Sequence, residues 1–478
     1  MKMISLFLWI ISLNVWGGCP IEARQDLLAQ ILLNAKACPT TVQELKELLI
    51  NDSLKELPAM VANRGFHNSN LGSFSIFESV TGKSQIMNKI IKPEHLYFGH
   101  FTALNESHEV ILDQDNTDKK LLIEVISFDF QKGIYNFYEL IGSPSGPKWF
   151  YRGNSFDAYY DNRNLKIKYP PQFGTRMRCS ACHNSGGPIM KELSAPHNDW
   201  WRKDKGLPLG KNIPSKELET YLLAFIDASD FAKNVRAGQK LLEKRNIQNN
   251  LSSKEILRPL FCTTEINLKS DTESISSPQS VIQISSEIFV DPFLVSDTLT
   301  MNKSSYIKAL QVLRFKFPET NFIDADHAFL APVRSELNLS QVRSIVNSGI
   351  IDEEFALDIL SVDFEHPLFS KVRCSLLDLV PISGPIISQF KVNLGKLQSV
   401  HAKKLSQNLE IENKEAHREK AKAYLNEKQK SWSAQKYVEN ELIMLNELRT
   451  SVFEDDISKN PRGQILEPGF RVIFPVRK

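Results

Sequence analysis

Two cysteines and a histidine fall within five consecutive residues, Cys179-Ser180-Ala181-Cys182-His183. The chain has 6 Cys and 10 His among 478 residues. At that frequency, chance produces a C-x-x-C-H run on the order of 0.002 times in such a chain. Whatever fold surrounds this run must present two thiols and an imidazole from one short turn. Such a turn can close a disulfide, hold half of a zinc site, or attach a cofactor. No second C-x-x-C supplies the other half of a zinc site. The flanks Pro170-Pro171 and Gly186-Gly187-Pro188 lack the βαβ pattern expected around a thioredoxin-type dithiol.

The amino terminus bears on the redox chemistry of these thiols. Met1-Lys2-Met3 begins with positive charge, Ile4 to Trp16 is almost wholly apolar, and Gly17-Gly18 closes the run. This is the pattern of a secretory signal over residues 1–18. It is shorter than the roughly 20 residues a spanning helix needs. The stretch Val15-Trp16-Gly17-Gly18-Cys19 also resembles a bacterial lipoprotein box, with Trp16 departing from the usual aliphatic residue. That resemblance implies a lipid anchor at Cys19. In the competing reading Cys19 pairs with Cys38 in a plain secreted protein. No later segment is long and apolar enough to cross a bilayer. The expected location is periplasmic or otherwise extracytoplasmic, free or membrane-anchored as a lipoprotein.

In an exported chain the C-x-x-C-H run resembles the haem-attachment box of c-type cytochromes. The resemblance covers the box and its flanks, about residues 170–230. It implies one covalent haem c per chain, with iron as its metal. Cys179 and Cys182 would form thioethers to two vinyl groups on one porphyrin edge, and His183 would be the proximal iron ligand. Small soluble cytochromes c place an axial Met several tens of residues further on. Here no Met occurs between Met190 and Met301. The sixth ligand is therefore open between Met190, His197, a distant residue such as His327 or Met301, and none. Met177 sits too close to the attachment turn to reach across the ring. Trp200 and Trp201 either wall the pocket or belong to a core.

The rest of the chain reads as mostly α with a small antiparallel β-meander, the cytochrome c-like haem region being embedded in a multidomain α+β chain. Residues 19–115 read as a helical amino-terminal region, with Thr41 and Glu44 as a capping box ahead of Leu45, Leu48 and Leu49. Residues 63–68 read as a polar loop. Residues 116–168 contain the meander. Leu121–Phe130, Ile134–Leu140 and Lys148–Tyr151 are expected strands, joined at Lys132-Gly133 and at Gly142 to Pro147. The haem-binding region spans 169–245, with a helix opening at Ser215 and helical signals through Leu242. Stretches 246–253 and 269–280 read as loops. A second helical region covers 246–395, broken at Pro318 and Pro332. Residues 396–455 are dense in Lys, Glu and Gln and read as a long, mostly solvated helix or helical hairpin. The tail 456–478 holds a closing strand at Arg471-Val472-Ile473-Phe474. No internal repeat is seen.

The balance of 58 basic and 56 acidic residues, +2 net, offers no electrostatic footprint for nucleic acid. Cys262 and Cys374 are either a long-loop disulfide or two buried thiols. Asp324, Asp326, His327, Asp363, Glu365 and His366 match no metal motif and read as caps and loop residues. There is no nucleophile elbow, P-loop or zinc-protease helix. The expected function is transfer of single electrons to a redox partner protein rather than catalysis. Two alternatives stand beside it. One is a peroxidase- or oxygenase-like haem enzyme with an open sixth iron position. The other is a non-haem structural or interaction protein with a Cys179–Cys182 disulfide.

Overall fold

The computed structural model describes residues 19–22, 24–62, 74–101, 103–104, 110–111, 121–157, 183, 186–188, 223–248, 252–269, 279–314, 331–397, 400–411, 413–454 and 471–472. Residues 1–18, the loop 63–68, Pro170-Pro171 and Ser215 lie outside them.

Helices α1 (Leu27–Asn34) and α2 (Val42–Asn51) open the fold. Strands β1 (Leu54–Ala62), β2 (Phe74–Ser84), β3 (Lys89–Ile91), β4 (Leu96–Phe101), β5 (Ala103–Leu104) and β6 (Val110–Ile111) follow. The expectation of helix throughout 19–115 is therefore corrected. Past Asp52 the described residues of that region are largely strand. Ile76, Glu78, Ser79 and Val80 of β2 are all buried, so the strand carries no clean polar–apolar alternation. Pro58 is tolerated in β1 because that strand pairs with β2 on one side alone, apart from an isolated bridge between Ala59 and Ile226. The capping box is also half corrected. The Thr41 side chain accepts from the Glu44 N–H at 3.1 Å, but the Glu44 carboxylate takes the Thr40 N–H and hydroxyl instead.

The meander forms where the sequence places it, as β7 (Leu121–Asp129), β8 (Ile134–Ile141) and β9 (Lys148–Asn154). It is one part of a seven-stranded antiparallel sheet of order β1-β2-β4-β7-β8-β9, with β3 paired to β2. The chain is thus a mixture of helix and sheet. Every residue of β8 is buried. Tyr138 and Leu140 pack with α1 and α2 on one face, while Tyr135 and Phe137 pack on the other. That second face is covered by α3 (Ala228–Gln248) through Phe231, Ala232, Val235 and Leu242. A disulfide joins Cys19 to Cys38 beside the first face. A sulfur in that bond cannot also carry a lipid thioether, so the two readings of Cys19 exclude each other and the structure has the disulfide.

The carboxyl-terminal part has its own core. It begins with α4 (Ser253–Phe261), whose start is a full capping box between Ser252 and Glu255, and the expected loop 246–253 is corrected at 246–248, which end α3. Strands β10 (Glu265–Lys269), β11 (Val281–Ser285) and β12 (Thr298–Asn302), helix α5 (Lys303–Leu313) and strand β13 (Ala331–Arg334) follow. Next come α6 (Glu336–Asn347), α7 (Glu353–Leu360), α8 (Lys371–Ser375) and α9 (Ile386–Gly395). The region 246–395 is therefore not purely helical, and Pro332 lies within a strand rather than at a bare break. Residues 396–455 form three helices, α10 (Val400–Leu409), α11 (Glu415–Ser431) and α12 (Gln435–Glu454). Their sparse apolar residues, including Leu405, Leu425, Trp432 and Leu442, enter the core, while most of the region's other described residues stay wholly or partly exposed. Strand β14 (Arg471–Val472) pairs parallel to β10, as the closing strand requires. No helix among the described residues is long and apolar enough to cross a membrane.

Cys262 and Cys374 form a disulfide across a separation of 112 residues. Replacing both by Ala should cost about 2–5 kcal/mol, measured by urea denaturation, with far-UV circular dichroism unchanged in buffer.

His95 supplies a pH-dependent contribution. Its Nδ1 accepts the Lys92 N–H at 3.1 Å, and its ring packs on Phe128 and Phe130. Burial holds the imidazole below its usual 6.5; Glu94 opposes this, and Lys92 and Lys89 add to it. The unfolded chain therefore takes up this proton first as pH falls. The contribution is present above about pH 6.5 and is lost as pH drops toward the folded value. The denaturation midpoint should fall between pH 7.5 and 5, and His95→Gln should flatten that dependence.

Candidate functional site

His183 is seated on the sheet face that α3 covers, and it is 8% exposed. Its position follows from three close approaches. Gly186, with φ +75°, lies so near the turn after β9 that a Cβ there would stand 2.4 Å from the Ser155 carbonyl oxygen. Gly187 faces Leu242 of α3. Pro188 reaches Gly238 of the same helix, where an added Cβ would be 2.9 Å from the proline Cγ. The two glycines let the loop press against its neighbours.

The loop is also tied to itself. The Gly186 N–H donates to the His183 carbonyl at 2.8 Å. The imidazole Nδ1 lies 2.8 Å from the Gly187 carbonyl oxygen. A carbonyl can only accept, so Nδ1 carries a proton. The ring stacks on Phe137 of β8, with centroids 5.5 Å apart and planes inclined by 29°.

Two tyrosines stand behind this seat. The Tyr97 hydroxyl donates to the Asn234 carbonyl at 2.7 Å, and the Tyr135 hydroxyl donates to the Glu94 carbonyl at 2.8 Å. Burial pushes both well above the usual phenol range, so they remain neutral donors. Their oxygens would stand 2.6 and 2.5 Å from a Cβ at Gly238, which is why α3 can approach only with glycine at that position.

Of the residues singled out by sequence, Cys179, Cys182, Met177, Met190, His197, Trp200, Trp201, Pro318, Asp324, Asp326 and His327 lie outside the described residues. Met301 is in β12, opposite Ile282, in the carboxyl-terminal core rather than in the core beneath His183. Asp363 and His366 form a surface pair, with Nδ1 2.8 Å from Oδ1. Burial raises the Asp363 carboxyl, but hydrogen bonds from Ser370 and His366 and the charge of Arg373 together hold it below the usual range. That is the loop role expected for these residues. Among the described residues no group of three or more His, Cys, Asp or Glu could hold a metal ion.

The residues present fit a haem ligated through His183 in one respect. A ligating imidazole needs a lone pair on one nitrogen and gains from a fixed donor bond on the other. The Nδ1 bond to Gly187 is such a donor bond. Sequence reasoning missed Phe137, Ser155 and Gly238, because nothing near them in the chain marks them as neighbours of His183, Gly186 and Pro188 respectively. Comparison with protein-family models, curated proteins and solved structures found no match.

Gly186→Ala should destabilise the protein by about 1–3 kcal/mol through overpacking and positive-φ strain. Gly146 also has positive φ but nothing within 4 Å of an added Cβ. Gly146→Ala should therefore show the smaller loss in a thermal denaturation series.

Proposed function

We propose that this chain is an exported c-type cytochrome that carries one haem and passes single electrons to a redox partner protein. Cys179 and Cys182 would hold the haem through thioethers, and His183 would bind its iron through Nε2. The observation that carries this reading is the Nδ1 hydrogen bond to Gly187 in a histidine that follows C-x-x-C. When bound, the haem supplies a one-electron iron couple. The chain's own part is to hold the proximal imidazole in one tautomer, seat it on Phe137 and keep water from its buried face. A low-polarity surrounding disfavours the more highly charged ferric state and so raises the potential.

Two disulfides, Cys19–Cys38 and Cys262–Cys374, support maturation in an oxidising compartment, consistent with a signal over residues 1–18 and a periplasmic location. With Cys19 in a disulfide, the protein reads as a free extracytoplasmic one.

The test is expression in a host able to attach haem c. The wild-type band should stain for covalent haem after denaturing electrophoresis and give a pyridine haemochrome spectrum. Cys179→Ala with Cys182→Ala should remove the stain, and His183→Ala should remove the proximal-ligand signature. Colourless wild-type protein, or covalent haem retained in the double cysteine variant, would overturn the assignment.

A further inference from the structure

We infer that the outer faces of α9 and α10 together form a docking surface for an anionic phospholipid membrane. Charge marks the segment first. No acidic residue occurs between Asp378 and Glu410, yet Lys391, Lys396, Lys403 and Lys404 all fall there. The +2 net charge of the whole chain conceals this local excess. Asp378, at one border, is paired with Lys254. All four lysines are exposed, and among the described residues none of their side chains makes a hydrogen bond or ion pair.

The helices set apolar groups among these charges. An α-helix turns about 100° per residue. In α9 the buried Phe390 and Leu394 face the core. Val392 is therefore on the opposite side, between Lys391 and Lys396, and it is 54% exposed. In α10 Ala402 and Leu405 enter the same core. That turns Val400, 77% exposed, outward between Lys403 and Lys404. Leu397, also exposed, lies in the link between the helices. The two helices pack on one another and bury their inner sides in one core, so both outer faces look away from it.

Lysine ammoniums around exposed aliphatic side chains suit a phospholipid surface. The alkyl stems lie along apolar groups while the charges reach headgroup phosphates. Each lysine near an anionic surface strengthens binding about fivefold. A protein partner would instead call for aromatic and arginine anchors, and lysine is depleted in such interfaces. The exposed residues described from 381 to 411 include no aromatic residue and no arginine. The four lysines supply the attraction, and Val392, Leu397 and Val400 make a shallow apolar contact. Attachment of this kind is reversible and weakened by salt. It requires no covalent lipid at Cys19, and it stands independently of the cofactor reading.

The test is co-sedimentation of the purified exported protein with vesicles of phosphatidylcholine alone, or of phosphatidylcholine with one part in three phosphatidylglycerol. The inference expects binding to the phosphatidylglycerol vesicles at low salt, release at high salt, and no binding to phosphatidylcholine alone. Replacing Lys391, Lys396, Lys403 and Lys404 together by Gln should weaken binding on the order of a hundredfold or more. The same charge change made at the exposed Lys36, Lys55, Lys83 and Lys308 should leave most of it intact. Val392→Ser with Val400→Ser should weaken it severalfold. If the variant with four replacements does not fold, Lys403→Gln with Lys404→Gln is read in the same way, with a loss of about 25-fold. Failure of the wild type to bind the anionic vesicles would overturn the inference and leave an acidic protein surface as the partner for this face. Equal losses in the two lysine sets would also overturn it, by showing that net charge alone governs binding.

Discussion

Burial of β8 on both faces is the constraint on which the amino-terminal half depends. All eight residues from Ile134 to Ile141 are hidden, so the strand needs a cover on each side. Alternation sends Tyr138 and Leu140 toward α1 and α2, and Tyr135 and Phe137 toward α3. Among its buried polar side chains, Asn136 and Tyr138 would be costly if left unpaired. Asp26 meets that need. Its carboxylate accepts from the Tyr138 hydroxyl at 2.6 Å, from Asn136 Nδ2 at 2.7 Å and from the Ala29 N–H at 3.1 Å. It caps α1 and fastens that helix to the sheet in one contact. Burial pushes its carboxyl up, and the donors oppose this.

The other cover determines what the site can be. Helix α3 carries Phe231, Val235, Gly238 and Leu242 toward the sheet. It also reaches the carboxyl-terminal part, with Arg236 paired to Glu336 and Glu243 accepting from the Ser340 hydroxyl. The same helix therefore presses on the loop after His183 and bears on α6. Burial pushes the Glu243 carboxyl up, and its bond to Ser340 partly compensates. Within the carboxyl-terminal core, Arg334 joins Asp291, the Pro259 carbonyl and Asn338 in a buried polar node. That node ties β13 to α4. Such a node resists single substitutions poorly, since each leaves the others unpaired.

The charged carboxyl-terminal helices show what composition leaves out. Lys and Glu density suggests a solvated rod. Yet Lys414 and His417 both reach the buried Asp358 of α7, at 2.9 and 3.0 Å. Lys428 pairs with Glu441 across the α11–α12 turn, at 2.8 Å, and lies over the Phe289 ring. A few apolar residues per turn suffice to dock a helix when its charged stems also pack. Counting charges does not reveal which of them face inward.

The sequence by itself determined what is local. The three strands of the meander are legible because alternating apolar residues and Gly-rich turns act over a few residues. The start of α2 at Thr41 is legible for the same reason, and so is the chemistry offered by Cys179, Cys182 and His183. The tertiary structure alone decided that β1 to β4 are strands, since β1 pairs with β2, β2 with β3 and β4, and β4 alone with β7. It also decided how the His183 ring is oriented. Phe137 is distant in the chain from His183, and Ser155 and Gly238 are distant from Gly186 and Pro188, and they meet only when the sheet and α3 close together. Tautomer and ring plane are properties of contacts, and contacts between distant residues leave no periodic trace in a sequence.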